Sequence, residues 1–431
     1  MAFRHIEAIE VVLYGKAVGA LTGTPGNSSV YAFEYYPAWI RDGFSINPLF
    51  LPLSAGVSSF GDLAKNTWYG LPPTIADSLP DHFGNSLINA KLAQLGVAVD
   101  EITPLDRLGY VADRAMGAME YRPAHSLGRE VGSIIDVSLL VDAARDAISG
   151  NLLNDNESKR ALRRLLSVGT SAGGARAKAV VNIDFKDGRI VSGQRPKPGF
   201  ASWILKLDGV GKDPGLGVSR HYGRIEYAYA LMAKDAKIDM PEVRLLEENE
   251  RAHFMVKRFD RTDPVDEQMP EKIHMQSLCA LGHVDFNLIH TNDYASLISV
   301  IRRLGIGEDA VTEAFRRMAF NCMAMNCDDH TKNFSFLMDR NGAWSFAPAY
   351  DVTFAYNSQN IWLKEHLMGV NGKFSDITRK DLLEFADTHK IEYAKAALKD
   401  VAAAVGNWKD YAKQADLGDE STDAIAVLMS K

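Results

Sequence analysis

The feature that most constrains the fold of this 431-residue chain is a change in the spacing of its apolar residues near Pro264. Before that point, short apolar runs bounded by turn residues predict β-strands at 179–185, 190–193, 203–207 and 254–259, with one helix at 224–237. After it, apolar residues recur at helical spacing and predict helices at 293–304, 308–325, 379–388 and 394–405. We therefore expect a mixed α/β part followed by a mainly helical part.

The region upstream of residue 167 divides into two further segments. Residues 4–124 are rich in turns and short apolar runs, which predict small strands and hairpins, with a helix that ends near Gly96. Residues 134–149 and 157–166 show two successive helical patterns, with Gly150 as a stop between them. Together with the change near Pro264, these patterns predict three domains, at residues 1–125, 126–262 and 263–431.

Hydropathy and cysteine content narrow the class of protein. No run reaches the roughly 18 apolar residues that a membrane helix needs, and the first ten residues carry charges where a secretory leader is apolar. The three cysteines, Cys279, Cys322 and Cys327, lack the spacing of a cysteine zinc site or a disulfide framework. We therefore expect a cytoplasmic protein in a reducing compartment.

The charge balance bears on possible partners. The chain has 48 Lys and Arg against 55 Asp and Glu, which gives a net charge of -7. An acidic protein repels a polyanion at long range. Direct and unaided binding to DNA is therefore not expected.

Residues 326–335 contain the densest group of chemically active side chains. Asp328 and Asn333 stand five residues apart, the interval between the catalytic Asp and the metal-binding Asn of the protein-kinase catalytic loop. His330 and Lys332 lie between them. A second carboxylate, Asp351, follows one predicted hairpin and stands where a kinase has its second metal-binding Asp.

Phosphoryl transfer uses an acceptor for a hydroxyl proton, oxygen ligands for Mg²⁺ and a cation near the transferred group. This loop offers one of each. Two other interpretations stay open from the residues alone. One is a solvated polar turn with Asp351 as a helix cap, and the other is a zinc site, for which His330 has no second histidine at metal spacing.

Residues 167–178 form a glycine-rich turn between a predicted helix and a predicted strand. Backbone N–H groups at Gly173 and Gly174 can approach phosphate oxygens, and Arg176 or Lys178 can add positive charge. The segment departs from the Walker pattern because no Lys-Ser/Thr pair follows its glycines. A flexible glycine hinge and a P-loop nucleoside triphosphatase (NTPase) are the alternative interpretations.

Lys206 stands at the end of an otherwise apolar strand. A buried amine there needs a partner, and Glu226 on the predicted helix at 224–237 is the candidate, as in the lysine–glutamate pair of a kinase. Taken singly, Lys206 could be a snorkelling edge residue and Glu226 a first-turn carboxylate. The order of glycine-rich turn, strand lysine, helix glutamate, polar loop and second Asp favours a kinase.

At this point the chain resembles a specific family, the HipA serine/threonine kinases, over most of its length. The family's glycine-rich pattern matches residues 169–179, its W-I-x-K residues 203–206, its R-F-D-R residues 258–261, its D-D-H-x-K-N residues 328–333 and its P-x-Y-D residues 348–351. The N-terminal region also resembles the family's extra subdomain at residues 15–21 and 78–84. Together these motifs are highly specific.

The resemblance implies an α+β, atypical bilobal protein-kinase-like fold, with a mixed α/β N-terminal lobe, an extra N-terminal subdomain and a mostly helical C-terminal lobe. It implies ATP and Mg²⁺ as cofactors and the following site. Asp328 and Lys332 are the catalytic residues, with Asp328 as the base, and Asn333 and Asp351 bind the metal. Ser171 is the autophosphorylated residue, with Ser167 and Thr170 as alternatives. The residues that bind ATP are Lys206, Gly173, Gly174, Lys178, Glu226, Lys257, Arg258, Phe259 and His330.

The resemblance also implies partners. These are a small helix-turn-helix antitoxin of the HipB type, operator DNA reached mainly through that antitoxin, and a protein substrate such as an aminoacyl-tRNA synthetase or a translation factor. Two other functions stay open: a catalytically silent scaffold for a DNA-binding antitoxin, and a kinase for a small molecule.

Overall fold

The structure is a computed structural model, and it describes residues 3–24, 27–125, 134–148, 156–168, 176–193, 195–210, 212–213, 217–218, 221–265 and 268–429. Gly173, Gly174, Ser171 and Thr170 of the glycine-rich turn lie outside these residues, as does the side chain of Ser167. Within the described ranges, no helix is both long enough and apolar enough to cross a bilayer.

The N-terminal part is built on a five-stranded antiparallel sheet in the order β4-β3-β2-β1-β5. Its central strands carry buried apolar residues that form one core with residues of the short helices beside the sheet. The elements are β1 Ala8–Leu13, β2 Lys16–Thr24, β3 Asn27–Tyr35, α1 Pro37–Asp42, β4 Val57–Ser59, α2 Lys65–Trp68, α3 Pro73–Ala76, α4 His82–Ala93, α5 Pro104–Val111 and β5 Met119–Arg122.

Side chains at the N-termini fix where α4 and α5 begin. Asp81 accepts a hydrogen bond from the N–H of Gly84, which satisfies one of the free donors of the first turn of α4. Thr103 and Asp106 form a reciprocal capping box at α5, with Pro104 at the first helical position. These caps explain why both helices start where polar residues interrupt the apolar pattern.

The middle part is a second antiparallel five-stranded sheet in the order β11-β12-β8-β6-β7. Two helices precede it and one long helix is inserted before its last two strands. The elements are α6 Val137–Ile148, α7 Asn156–Val168, β6 Lys178–Asp184, β7 Arg189–Ser192, β8 Ala201–Lys206, β9 Lys212–Asp213, β10 Gly217–Val218, α8 Tyr222–Asp235, β11 Val243–Glu248 and β12 Arg251–Lys257.

Helix α4 shares its core with this second sheet. Leu87, Ile88 and Leu92 of α4 belong to the same buried cluster as residues of α6, α7, β6 and β8, including Trp203. The predicted N-terminal segment therefore contacts the second sheet through a continuous apolar core as well as through polar groups.

The C-terminal part is mainly helical, and α8 packs on it. Tyr229 of α8 is fully buried, and its hydroxyl donates to the Ala324 carbonyl at 2.6 Å. The elements are β13 His274–Ser277, α9 Leu278–Gly282, β14 Asn292–Asp293, α10 Tyr294–Arg303, α11 Glu308–Met323, β15 Ser335–Met338, β16 Trp344–Phe346, β17 Met368–Gly369, α12 Arg379–Thr388, α13 Ala394–Gly406, α14 Trp408–Gln414 and α15 Asp419–Met429.

The predicted change from mixed α/β to helical structure is found, and the long helices lie close to their predicted bounds. Strand β12 ends at Lys257 rather than at residue 259, because residues 258–261 turn toward the N-terminal part. Strand β11 was not predicted. It is a charged strand at the edge of the sheet in which no residue is fully buried, so its sequence has no clear alternation.

Candidate active site

Lys206, at the end of β8, joins three parts of the chain. Its Nζ donates to Oε1 of Glu226 on α8 and to Oδ1 of Asp351 in the C-terminal part. The Glu226 side chain is 3% exposed, that of Lys206 15% and that of Asp351 26%. The predicted lysine–glutamate pair is therefore present, and the sequence-predicted Asp351 lies at the same amine.

The charges at this junction alter one another's protonation. Burial raises the pKa of the Asp351 carboxyl, but the neighbouring Lys206 and Lys178 outweigh burial and lower that pKa to about 2. Burial lowers the pKa of Lys206, but Asp351 and Glu226 outweigh it and raise the pKa overall. The lysine is therefore held as a cation and Asp351 as an anion.

The segment that carries Asp351 is tied to the polar loop by Tyr350. The Tyr350 hydroxyl donates to the Lys332 carbonyl oxygen at 2.6 Å, and its ring lies 5.8 Å from that of Phe259. Asp351 itself has φ of 53°, a left-handed conformation that non-glycine residues adopt infrequently. These contacts fix the direction in which the Asp351 side chain leaves the backbone.

The polar loop is folded on itself by a 3-10 turn at Thr331–Asn333. The Asn333 side-chain amide donates from Nδ2 to the Asp328 carbonyl oxygen at 2.7 Å, which leaves its Oδ1 as the atom available to a cation. The Asp328 carboxylate is 47% exposed and lies 3.8 Å from His330 Nε2. The Asp328 carboxylate is therefore accessible to solvent, and the Asn333 carboxamide beside it is held by a hydrogen bond.

The neighbouring Asp329 has a different environment, which the sequence did not indicate. It is fully buried, and its two oxygens accept from the Tyr294 hydroxyl at 2.7 Å, His366 Nδ1 at 3.0 Å and the Leu367 N–H at 2.8 Å. Burial lowers the pKa of His366, but the Asp329 charge outweighs it and raises that pKa well above its ordinary value. Asp329 thus anchors the polar loop to a distant segment.

Lys178 and Lys206 are cross-strand partners, directly opposite each other in β6 and β8. The Lys178 side chain is 6% exposed, and its Nζ lies 3.7 Å from Oδ2 of Asp81 at the start of α4. Burial lowers the pKa of Lys178, and burial raises the pKa of Asp81. Asp81 was not among the predicted site residues, because nothing local in the sequence links it to the strand that carries Lys178.

Two other predicted lysines point away from this cluster. Lys332 Nζ lies 4.5 Å from the centre of the Phe286 ring. Lys257 Nζ pairs with Asp263 and lies 3.9 Å from Glu242 Oε2. Neither side chain contributes to the contacts around Lys206.

The predicted hinge at residues 257–259 is partly used within the fold. The N–H of Lys257 donates to the Glu242 carbonyl and that of Arg258 to the Ser202 carbonyl, both at 2.9 Å. The Arg258 guanidinium is buried in a two-point contact with Asp260, at 2.8 and 2.6 Å. A contact from the Arg258 N–H or side chain to an adenine would therefore require these bonds to break.

Asp260 ties the same turn to the N-terminal part. Its Oδ2 accepts from the Gly117 N–H at 2.7 Å and from Arg261 NH1 at 3.0 Å, and Arg261 NH1 also donates to the Gly117 carbonyl at 2.9 Å. Gly117 has φ of 78°, and a Cβ there would lie 2.6 Å from the Met275 nitrogen. The R-F-D-R motif therefore serves at least in part to hold the N-terminal part against the strand end.

The donor set at the site suits a hard cation. Asp351 offers a carboxylate and Asn333 a carboxamide oxygen, and Mg²⁺ prefers one or two protein oxygens completed by water and substrate phosphates. Across the described ranges, no three His, Cys, Asp or Glu side chains group to hold a metal by themselves. The residues present therefore fit Mg²⁺ accompanied by a phosphate ligand.

Comparison with known proteins gives consistent results. The family model of the HipA-like C-terminal domain matches residues 170–409, and that of the HipA N-terminal domain matches residues 9–122. A curated relative from Sinorhizobium fredii, described as "Putative kinase Y4dM", is 24% identical over an alignment of 371 residues that covers 80% of this chain and 77% of the relative. HipA from Shewanella oneidensis MR-1, solved with HipB and operator DNA, superposes with a TM-score of 0.66 at 16% identity, covering 98% of this chain and 94% of its own.

These findings define the class of fold and then the family. The architecture is an α+β, atypical kinase-like fold, as predicted from the sequence. The chain belongs to the HipA family, because the C-terminal family model alone covers more than half of its length. Both the predicted fold class and the predicted family are thus confirmed.

Proposed function

We propose that this protein is an ATP- and Mg²⁺-dependent serine/threonine protein kinase that acts as the toxin of a HipBA-like toxin–antitoxin module. The observation that carries the proposal is the contact of Lys206 with both Glu226 and Asp351. In a protein kinase, a strand lysine paired with a helix glutamate contacts the nucleotide phosphates, and a following Asp binds the metal.

The chain's own residues supply each function that phosphoryl transfer requires. Asp328, with its half-exposed carboxylate, accepts the proton of the attacking hydroxyl. Lys206 and Lys178 direct their positive charge at the phosphates, and Asn333 and Asp351 hold Mg²⁺. The metal, when bound, neutralises negative charge on the β- and γ-phosphates.

The other residues proposed to act at the site differ in their positions. His330 lies beside Asp328 and can contact a phosphate or the substrate hydroxyl. Lys332 supports the loop through its carbonyl bond from Tyr350, and its amine faces Phe286. Gly173, Gly174 and Ser171 lie outside the described residues, so from the sequence alone we propose that the two glycine amides bind phosphate and that Ser171 is the site of autophosphorylation.

Partners are proposed from family membership. HipA from Shewanella oneidensis was solved with HipB and operator DNA. We propose that this chain likewise binds a helix-turn-helix antitoxin and reaches operator DNA mainly through it, consistent with its net charge of -7. Its substrate is proposed to be a translation-related protein in the cytoplasm, such as an aminoacyl-tRNA synthetase.

The experiment that tests the proposed function is incubation of the purified protein with Mg²⁺ and labelled ATP, followed by mass spectrometry of the protein. Label on Ser171 that is lost in Asp328→Asn and in Ser171→Ala establishes an active kinase that modifies its own glycine-rich turn. Label on Ser167 or Thr170 instead retains the kinase and corrects the residue.

Two results would contradict the proposal. ATP binding without transfer to the chain or to an added protein extract supports a catalytically silent scaffold. Transfer only to small hydroxyl compounds supports a small-molecule kinase. Both assays use the same purified protein, and a sample in which Mg²⁺ is chelated is the control.

A further inference from the structure

Asp81 connects the N-terminal part of the chain to the lysine pair of the candidate active site. Its side chain is 7% exposed, and its Oδ2 lies 3.7 Å from Lys178 Nζ. Among the described residues, Oδ2 has no hydrogen-bond donor within range, so this lysine is its ion-pair partner. Burying a carboxylate this deeply costs free energy unless a cation or hydrogen-bond donors compensate its charge.

Lys178 needs such a counter-charge because of its register. It stands directly opposite Lys206, and side chains of directly opposed residues in antiparallel strands lie on the same face of the sheet. Like charges in this arrangement repel one another. Glu226 and Asp351 contact Lys206 directly. Asp81 forms an ion pair with Lys178, and the charges of Asp351 and Glu226 also act on the Lys178 amine.

The two oxygens of Asp81 have separate functions. Oδ1 accepts from the Gly84 N–H at 2.6 Å and caps α4, while Oδ2 faces Lys178. Helix α4 is held in place by the apolar core that it shares with β6 and β8. The position of the Asp81 charge is therefore fixed by a helix packed against the strands that carry both lysines.

We propose that Asp81 is a positioning residue that holds the Lys178 ammonium toward the nucleotide phosphates, so that the N-terminal part of the chain completes the phosphate-binding site. The inference rests on the proposed function, since it assigns Lys178 to a bound nucleotide. It adds a residue from outside the kinase-like core to that site. Loss of the Asp81 charge would release Lys178 from its place opposite Lys206.

The test compares substitutions that separate the cap from the charge. Asp81→Asn and Asp81→Ser keep a good N-cap for α4 but remove the negative charge. Asp142→Asn, on the exposed face of α6, is the matched control for loss of one acidic charge. Binding of ADP with Mg²⁺ is measured by calorimetry, and KM for ATP and kcat are measured with the protein substrate or with autophosphorylation.

Both charge-removing variants are expected to raise the Kd for ADP and the KM for ATP by about tenfold, the effect of losing about 1.4 kcal/mol, with a smaller change in kcat. Asp142→Asn is expected to bind as the wild type does. In a double-mutant cycle, Asp81→Asn is expected to add little once Lys178→Met has removed the amine, because the two residues act as one unit.

A purely structural role for Asp81 gives a different result. It predicts a lower unfolding midpoint with unchanged Kd and KM for the folded protein, or effects of Asp81→Asn and Lys178→Met that simply add, and either result overturns the inference. Failure of the wild-type chain to bind ADP or ATP at all would instead remove the proposed function, and this inference with it. The wild-type binding curve therefore distinguishes the two failures.

Discussion

Lys178 and Lys206 stand directly opposite each other on adjacent antiparallel strands, on the same face of the sheet. Asp81, Glu226 and Asp351 surround this pair, each from a different part of the chain. Two cations in this position repel each other unless carboxylates balance their charges. The repulsion between the two lysines is offset because carboxylates from three parts of the chain lie beside them.

Asp328→Asn is expected to leave the fold intact and reduce phosphate transfer by about 10²- to 10⁴-fold, because the variant loses the acceptor for the hydroxyl proton. The carboxylate is 47% exposed, so the free energy of unfolding should change by no more than about 0.5 kcal/mol. Nucleotide binding should persist. A labelled-ATP assay measures transfer, denaturant unfolding measures stability and calorimetry measures nucleotide binding. The control is Asp309→Asn, at an exposed residue. Transfer by Asp328→Asn at the wild-type rate would contradict the role of Asp328.

Glu226→Gln is expected to reduce kcat/KM for ATP by at least about tenfold, the effect of losing about 1.4 kcal/mol. Gln keeps an acceptor for Lys206 but removes the buried charge that balances it. The matched control is Glu247→Gln on β11, where the side chain is 65% exposed and pairs with Arg224 of α8. Equal activity of the two variants in steady-state assays would show that the Lys206–Glu226 contact has no part in catalysis.

Asp260→Asn is expected to destabilise the protein by about 3 kcal/mol, because it leaves two buried arginines without their carboxylate. The Asp260 side chain is 1% exposed, and Arg258 and Arg261 each pair with it. Denaturant unfolding measures the loss. Asp263→Asn, at a side chain that is 69% exposed, serves as control, and an Asp260→Asn midpoint equal to that of the control would contradict the expectation.

His274 is expected to make stability depend on pH. Burial lowers the pKa of its imidazole to about 3 in the folded state, whereas an unfolded histidine titrates near about 6.5. As pH falls below about 6.5, the unfolded state takes up a proton that the folded state does not bind, so the fold loses stability until about pH 3.

His274→Gln removes this contribution. The difference in unfolding free energy between wild type and variant should therefore fall by about 2 kcal/mol between pH 7 and pH 5, at about 1.4 kcal/mol per pH unit once His274 titrates. Denaturant unfolding at several pH values provides the measurement. His290→Gln, at a side chain that is 47% exposed, is the control, and a parallel pH dependence of His274→Gln and wild type would exclude this role for His274.

Local patterns in the sequence predicted the long helices and the strands with buried faces, because their periodicity reports which side is covered. The same patterns placed Asp328, Asn333 and Asp351 around one polar loop and one hairpin. Pairing of Lys206 with Glu226 followed from the cost of burying an amine at the end of an apolar strand.

Contacts between residues far apart in the chain were decided only by the tertiary structure. Asp260 meets the Gly117 N–H across 143 positions, and Asp329 meets His366 Nδ1 across 37. Asp81 reaches Lys178 because α4 packs on the second sheet. The sequence by itself determined the elements and the kinds of chemical group available, since these depend on near neighbours, whereas packing of distant elements chose the carboxylate that each buried cation meets.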